Sequence, residues 1–301
     1  MTRILLTAEE PKIRRARPGV RGRVVRFGAM AVLAAVVSAC GGTSGGDVGV
    51  SLPGEAAHVH GVGADPDTGE VFVATHNGLY RIPAPGAADG AEPASPEKIG
   101  PTIDLMGFSI AGPGRFIASG HPGPGTDMPD PVGLIESLDG GRSWRSLSLE
   151  GESDFHALAS GAERTVGFDG RLRATEDGRT WEDLAGGVEP FALAVSDDGA
   201  TLLATTAQGL RRSSDGGTAF TPVPDAPALA LVAWVAGTGT VYGVAVDGGV
   251  HRSTDAGADW TRTGAVEGEP QALYADGGQI LVVADHRVTR STDAGATFRG
   301  W

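Results

Sequence analysis

Short stretches in which apolar and polar residues alternate, separated by glycine turns, run through much of this chain. One unit comprises residues 204–208, a turn at Gly209 and residues 210–212. A similar unit lies upstream, at 58–65, 70–75 and 78–82. Period-two alternation broken by glycine is typical of antiparallel meanders, because successive side chains of a strand point to opposite faces. The pattern predicts short β-strands joined by tight turns.

An eight-residue segment, which we call the turn repeat, recurs through the second half of the chain. Its copies are 137–144 (SLDGGRSW), 213–220 (SSDGGTAF), 253–260 (STDAGADW) and 291–298 (STDAGATF), with a degenerate copy at 174–181 (ATEDGRTW). The aromatic residues that end the copies are 37 to 40 residues apart. A period of this length matches one four-stranded blade of a β-propeller.

The residue types of the turn repeat have a structural explanation. Serine and aspartate hydrogen-bond the backbone of a tight turn, glycine adopts the conformation that other residues avoid, and the aromatic packs between sheets. The chain from residue 56 onward accommodates six such units, so we predict an all-β, six-bladed propeller with each repeat between the third and fourth strands. The innermost strands are expected to begin near His58, Asp104, Asp154, Pro190, Leu229 and Pro270.

Composition and charge agree with this fold and exclude some functions. Glycine accounts for 48 of 301 residues and aromatics for only 6%, which argues against a helical bundle. The formal net charge is −13, which excludes a protein that binds nucleic acid by neutralising phosphates.

The first 40 residues have the pattern of an export signal. Eight basic residues stand against two acidic ones before an apolar run at 27–39, which ends at Cys40. The tetrad Val37-Ser38-Ala39-Cys40 resembles a bacterial lipobox, in which the cysteine is lipidated after cleavage. Because Cys40 is the only cysteine, it forms no intrachain disulfide. The sequence predicts a lipoprotein signal peptide at 1–39, a flexible glycine- and serine-rich tether at 40–56 and a propeller at 57–301, anchored outside the cytoplasm. The alternative is an ordinary secretory signal with an incidental cysteine.

Histidines are concentrated in the first three predicted blades, with five of seven between residues 58 and 156. Superposing the inner strands (HVHGVG, DLMGFS, DFHALA, PFALAV, LALVAW, PQALYA) places a pair of His, Asp or Met side chains on each of the first three and mostly Ala, Leu and Pro on the others. Side chains two residues apart project from the same face of a strand. The candidate site residues, all predicted to converge on the face opposite the turn repeats (the top face), are His58, His60, His76, Asp104, Met106, His121, Asp154 and His156.

Imidazoles beside carboxylates are ligands that suit zinc, whereas several imidazoles with the thioether of Met106 favour copper. We therefore predict that the top face binds a metal ion or a small polar ligand, with His58, His60, His76, His121, His156 and Met106 as candidate ligands. The alternative is that these histidines tie loops to neighbouring blades through hydrogen bonds. A long loop with four prolines, residues 122–132, either roofs this pocket or is a surface excursion.

Two resemblances bear on function. The pattern S-x-D-x-G-x-x-W/F resembles the Asp box of sialidase-like BNR propellers, which implies a propeller of the sialidase superfamily. The segments HVHG (58–61), DLMGFS (104–109), SGHPGPGTDMPDPVGLIESLDGG (119–141) and DFH (154–156) are similar to those of exported bacterial Asp-box proteins that are usually called glycosyl hydrolases or exo-α-sialidases by fold analogy. This similarity implies glycoside hydrolysis as an alternative function, with Asp104 and Asp154 as the catalytic carboxylates.

The sequence also departs from true sialidases. The run Tyr80-Arg81-Ile82-Pro83 resembles the motif that carries the first arginine of the sialidase carboxylate-binding triad, but alignment by blade puts Arg81 on a third strand. The six predicted inner-strand segments contain no arginine or lysine, and a sialic acid carboxylate requires cationic partners. We therefore do not expect exo-α-sialidase activity. A third alternative is a scaffold for an extracytoplasmic protein partner.

Overall fold

A computed structural model describes residues 49–56, 58–84 and 95–300. In this part of the chain all regular structure is β, in six four-stranded antiparallel sheets, and no helix is present. The described residues therefore include no helix that is long and apolar enough to cross a membrane. The predicted all-β, six-bladed propeller is confirmed.

The strands are short and follow one another around the ring. The first is β1 (Val50–Ser51). Blade one consists of β2 (Val59–Ala64), β3 (Val71–Thr75), β4 (Gly78–Ile82) and β5 (Glu97–Ile99). Blade two consists of β6 (Ile103–Gly112), β7 (Arg115–Pro122), β8 (Leu134–Ser137) and β9 (Arg145–Ser148). Blade three consists of β10 (Ala157–Ser160), β11 (Thr165–Phe168), β12 (Leu172–Thr175) and β13 (Glu182–Asp183).

The remaining strands complete the ring. Blade four consists of β14 (Ala192–Val195), β15 (Leu202–Thr206), β16 (Gly209–Ser213) and β17 (Thr221–Pro222). Blade five consists of β18 (Leu229–Trp234), β19 (Val241–Ala245), β20 (Gly249–Ser253) and β21 (Thr261–Ala265). Blade six contains β22 (Pro270–Ala275), β23 (Ile280–Ala284) and β24 (Arg287–Ser291). Each inner strand contacts the inner strands on both sides, and β2 contacts β22, so the ring is closed.

The ring is closed by the N-terminal segment of the described chain. Strand β1 is the outer strand of blade six, where Val50 pairs with Val288 of β24. Leu52 and Ala56 are buried in the cluster between blades six and one. The tether predicted at 40–56 is therefore wrong for residues 50–56, and the propeller begins before residue 57. The reason is that a three-stranded blade six would leave the edge of β24 unpaired. Cys40 and the signal peptide at 1–39 lie outside the described residues.

The apolar core is divided into six clusters, one at each contact between neighbouring blades. The final aromatic of every turn repeat belongs to one of these clusters. These aromatics are Trp144, Trp181, Phe220, Trp260 and Phe298. The prediction that they pack between sheets is confirmed, and it explains why an aromatic recurs once per blade.

The turn repeats form the hydrogen bonds expected from their residue types. In the second blade the hydroxyl of Ser137 donates to Asp139 (2.8 Å) and accepts from the N–H of Gly141 (2.8 Å), which has a φ of +83°. The copies beginning at Ser213, Ser253 and Ser291 repeat these bonds. In the degenerate copy Thr175 and Asp177 take the serine and aspartate positions, one residue later than the alignment predicts.

An irregularity near the start of the inner strands sets which side chains face the channel. In four blades the pairing with the second strand skips one residue, namely His60, Met106, Ala230 and Gln271. In blades three and four the equivalent residue directly precedes the strand, and the N–H groups of His156 and Phe191 donate to the strand opposite. A β-bulge re-aims a side chain locally. The superposition of blades four to six therefore shifts by one residue, from Ala192, Leu231 and Ala272 to Phe191, Ala230 and Gln271.

Candidate functional site

The central channel contains two cavities separated by an apolar constriction. The upper cavity, on the top face, has a volume of about 210 Å³, and its lining includes His60, Met106 and His156. The lower cavity has a volume of about 470 Å³. Both cavities are lined by the same six apolar residues, one from each blade: Val62, Phe108, Leu158, Leu193, Val232 and Leu273. The polar side chains of the top face are therefore separated from the lower cavity by a ring of apolar residues.

Three of the predicted site residues form a compact cluster beside the upper cavity. His60 lies on β2, His76 lies in the turn after β3, and Asp104 lies on β6 of the next blade. One potential ligand atom from each residue lies within 4.8 Å of the other two. The Nδ1 atom of His76 is 2.6 Å from Oδ2 of Asp104. We call His60, His76 and Asp104 the metal cluster, meaning three side chains that could hold one metal ion.

Two buried atoms of the metal cluster have no hydrogen-bond partner in the described structure. They are Nε2 of His60 and Oδ1 of Asp104. Buried polar atoms in proteins are almost always hydrogen-bonded, because an unpaired one costs about 1–3 kcal/mol. An imidazole nitrogen and a carboxylate oxygen are atoms that a metal ion takes as ligands.

The protonation state of His60 also suits a metal ion. Burial lowers its pKa from 6.5 to about 4, assisted by the neighbouring His76 and opposed by the charge of Asp104. His60 is therefore neutral at physiological pH, and a neutral imidazole is the form that coordinates metals. Because Nδ1 of His76 faces Asp104 at 2.6 Å, Nε2 is the ring nitrogen left for a metal ion, and a carboxylate beside the other ring nitrogen is common at metal-binding histidines.

The fold places His76 by means of a buried threonine. The hydroxyl of Thr75, which is fully buried, donates to the carbonyl of Gly78 (2.9 Å) and accepts from the N–H of Asn77 (3.1 Å), which closes the turn that carries His76. His58 is next to this turn, and its ring lies edge-on against His76 with a centroid separation of 4.9 Å. The backbone of His58 has a φ of +59°, a strained conformation for a residue other than glycine.

His121, Asp154 and His156 form a second group. Oδ2 of Asp154 is 3.0 Å from Nε2 of His121 and 2.7 Å from Nε2 of His156. Nδ1 of His121 is 2.6 Å from Asp130. The hydrogen bond to Asp130 raises the pKa of His121 against the effect of burial, and Asp154 raises it further. Because both ring nitrogens of His121 face carboxylates, this histidine fits the role of a cationic link better than that of a metal ligand.

The two groups are adjacent. Asp104 of β6 lies opposite His121 of β7 in the strand pairing, and His156 is close enough to lower the pKa of His60. All eight candidate residues lie in or beside blades one to three, on the top face. Met106 and His156 reach the upper cavity, together with a polar residue that the sequence analysis missed, Gln271. The superposition of the sequences aligns Ala272 with His60, whereas the observed strand pairing aligns Gln271 with it. Gln271 could therefore be identified only from the register of the strands.

The proline-rich loop at 122–132 does not line the upper cavity. Thr126 donates to the carbonyl of Thr102 (2.8 Å), and Val132 and Met128 pack into the core cluster between blades one and two. Its contribution to the top face is Asp130, which holds His121. Of the two predictions for this loop, these contacts support the surface excursion, which is fastened to the protein by Thr126, Met128 and Val132.

The sialidase and hydrolase hypotheses receive no specific support from these contacts. Arg81 lies on β4, the third strand of its blade, where it pairs with Glu70 and Glu97, as the alignment by blade predicts. Both carboxylates lie against imidazoles: Asp104 is 2.6 Å from Nδ1 of His76, and Asp154 is hydrogen-bonded to His121. Such contacts are typical of carboxylates that orient histidines.

Exposed apolar side chains give the scaffold hypothesis no specific support. The large exposed apolar residues of the described chain are Leu138, Phe191 and Val246, which lie in or beside three different blades.

Comparison with known proteins supports the fold alone. No protein-family model matches the sequence, and no curated protein matches it. Among solved structures, the nidogen/laminin complex is similar with a TM-score of 0.59 and 12% identity, over 76% of this chain and 91% of that chain. YCF48 bound to D1 peptide has a TM-score of 0.53 and 14% identity, over 81% and 94%. The GH74 xyloglucanase from Xanthomonas campestris has a TM-score of 0.50 and 16% identity, and the match covers 84% of this chain but only 38% of the enzyme.

Proposed function

We propose that this protein binds a divalent transition-metal ion through His60, His76 and Asp104 on the top face of the propeller. The observation that carries the proposal is the pair of unpartnered, buried donor atoms, Nε2 of His60 and Oδ1 of Asp104, within one cluster. A bound cation would satisfy both atoms at once.

Zinc is the ion that this ligand set favours. Two imidazoles and one carboxylate are a ligand set found at zinc sites, and three protein ligands leave a fourth position open for water or a small polar ligand. Copper would be favoured if the thioether of Met106, which lines the same upper cavity as His60, joined the imidazoles. His58 packs against His76 and is the nearest additional imidazole.

Metal binding can be tested on the purified protein by removing bound metal with a chelator and then titrating it calorimetrically with Zn²⁺, Cu²⁺ and Ca²⁺. We expect one Zn²⁺ per chain and no binding of Ca²⁺, which prefers sites with six or more oxygen ligands. His76→Ala and Asp104→Asn should each weaken Zn²⁺ binding by at least about tenfold, the usual cost of losing a ligand or its orienting partner. Circular dichroism should show that the variants remain folded.

The matched control is His251→Ala, which removes a histidine on β20 of blade five. It should leave Zn²⁺ affinity unchanged. Absence of stoichiometric Zn²⁺ binding by the unmodified protein would refute the proposal, as would equal affinities for the unmodified protein, His76→Ala and Asp104→Asn.

We also propose that the propeller acts outside the cytoplasm, attached to the membrane through a lipidated Cys40. The support is the lipobox-like tetrad that follows an apolar run of signal-peptide length. Cys40→Ala should release the protein from the membrane fraction or leave it as the longer precursor. Recovery of this variant as a processed membrane protein would show that Cys40 is not the anchor.

A further inference from the structure

The lower mouth of the channel contains a second cavity whose chemistry differs from that of the top face. Its volume of about 470 Å³ is in the range of small-molecule sites, and the ends of all six inner strands line it. Most of the wall is aliphatic, and the aromatic residues in it are Phe108, Trp234 and Tyr274. The apolar constriction separates it from the metal cluster, so the two sites are independent.

Charge at this mouth has one sign. The charged lining residues are Asp197 and Asp276, and no lysine, arginine or histidine lines the cavity. Asp276 accepts hydrogen bonds from the N–H groups of Gly278 (2.7 Å) and Gln279 (2.8 Å) and from the side-chain amide of Gln279 (3.2 Å), and Asp197 accepts one from the N–H of Gly237, so all these donors are uncharged. Within the described structure neither carboxylate forms a salt bridge. Both negative charges are therefore available to a cationic ligand.

The negative charges at this mouth also act on the side chain of Tyr274. It is partly buried, and its hydroxyl lies 3.4 Å from the carbonyl of Ala64. Burial raises the pKa of Tyr274, and the negative charges of Asp276 and Asp65 raise it further. A cation near this ring would be stabilised by the same charges and by the faces of the tyrosine and tryptophan rings.

We propose that the lower cavity binds an amphipathic organic cation. The apolar body of the ligand would contact the aliphatic wall, and its ammonium group would lie among Trp234, Tyr274 and the two carboxylates. An anion of the same shape would be repelled by Asp197 and Asp276, and an uncharged analogue would lose the electrostatic contribution. This site is distinct from the metal cluster and does not depend on it.

Three probes of one shape test the proposal: 1-adamantylamine, 1-adamantanol and 1-adamantanecarboxylate, each titrated calorimetrically into the purified protein. We expect the amine to bind at least about tenfold more tightly than the carboxylate, with the alcohol between them. Asp197→Asn and Asp276→Asn should each weaken amine binding by about three- to tenfold and leave the alcohol unchanged. Asparagine keeps a side-chain oxygen that accepts the turn hydrogen bonds.

Two control variants test whether amine binding depends on the charges of the lower cavity. Glu267→Gln removes one negative charge from an exposed residue outside the cavity lining and should not change amine binding. Asp104→Asn should weaken Zn²⁺ but not the amine, so failure of either site is distinguishable from failure of the other. The proposal is overturned if no probe binds, if the three probes bind equally, or if Asp197→Asn and Asp276→Asn bind the amine as the unmodified protein does.

Discussion

Replacement of Leu52 by alanine tests how the propeller is closed. Leu52 follows β1, is only 7% exposed, and packs with Val50 and Ala56 between blades six and one. Its N–H also donates to the carbonyl of His286 (2.9 Å). In a flexible tether the side chain would be in water, and its truncation would change little. In the closed ring it leaves a cavity, for which Leu→Ala typically costs about 2–5 kcal/mol. Because Leu52 lies near the edge of the sheet, we expect about 2–3 kcal/mol.

The free energy of unfolding can be measured by urea denaturation followed by tryptophan fluorescence. With a slope of about 3 kcal/mol per molar urea, the expected loss shifts the midpoint down by roughly 0.7–1 M. The control is Leu138→Ala, because Leu138 is 58% exposed and its truncation should cost less than about 0.5 kcal/mol. If Leu52→Ala were as stable as Leu138→Ala, the closure by β1 would be refuted.

Other predictions concern the turn repeats and the metal cluster. Gly257 has a φ of +81°, and a Cβ there would lie 2.6 Å from Leu203, so Gly257→Ala should lower the unfolding free energy by about 2–3 kcal/mol; an unchanged urea midpoint would contradict this. Ala256, with a φ of +60°, adopts a conformation that favours glycine, so Ala256→Gly should raise thermal stability by about 0.5–1 kcal/mol and not lower it. Because the pKa of His60 falls from 6.5 to about 4 on folding, the unfolded chain binds the proton more readily between these values, and stability decreases as pH falls through this window. In the presence of a chelator, lowering the pH from 6.5 to 4 should reduce the free energy of unfolding of His60→Asn by about 1–2 kcal/mol less than that of the unmodified protein, after allowance for solvent screening. Parallel plots of unfolding free energy against pH for the two proteins would exclude His60 as the source of the pH dependence.

The number of blades and the strand order were predictable from the sequence because each turn repeat is a local structure. Ser137, Asp139 and Gly141 hydrogen-bond one another within five residues, so their spacing is visible without knowledge of the fold. The aromatic that ends each copy recurs because every blade must fill the same gap against its neighbour. The clustering of histidines in blades one to three followed from this register, since equivalent strand positions face the same mouth.

Features that depend on pairing between distant segments were decided only by the tertiary structure. Strand β1 closes the ring by pairing with β24, more than 200 residues along the chain, and its two residues carry no local signal of that pairing. In blades four to six the residues equivalent to His60 and Met106 lie one position earlier than the sequence superposition places them, which aligns Gln271 with these residues, because register depends on the neighbouring strand.

The division of the histidines into two groups also required the three-dimensional structure. From sequence, His60, His76, His121 and His156 were equivalent candidates for one metal ion. The structure pairs His121 and His156 with Oδ2 of Asp154, whose Oδ1 is buried without a partner among the described residues, whereas in the metal cluster both an imidazole nitrogen, Nε2 of His60, and a carboxylate oxygen, Oδ1 of Asp104, lack partners. The sequence determined which residues reach the top face, because strand periodicity is local. Which of them retain free donor atoms was decided by contacts between blades, since a hydrogen-bond partner on another strand is specified only when the strands are packed together.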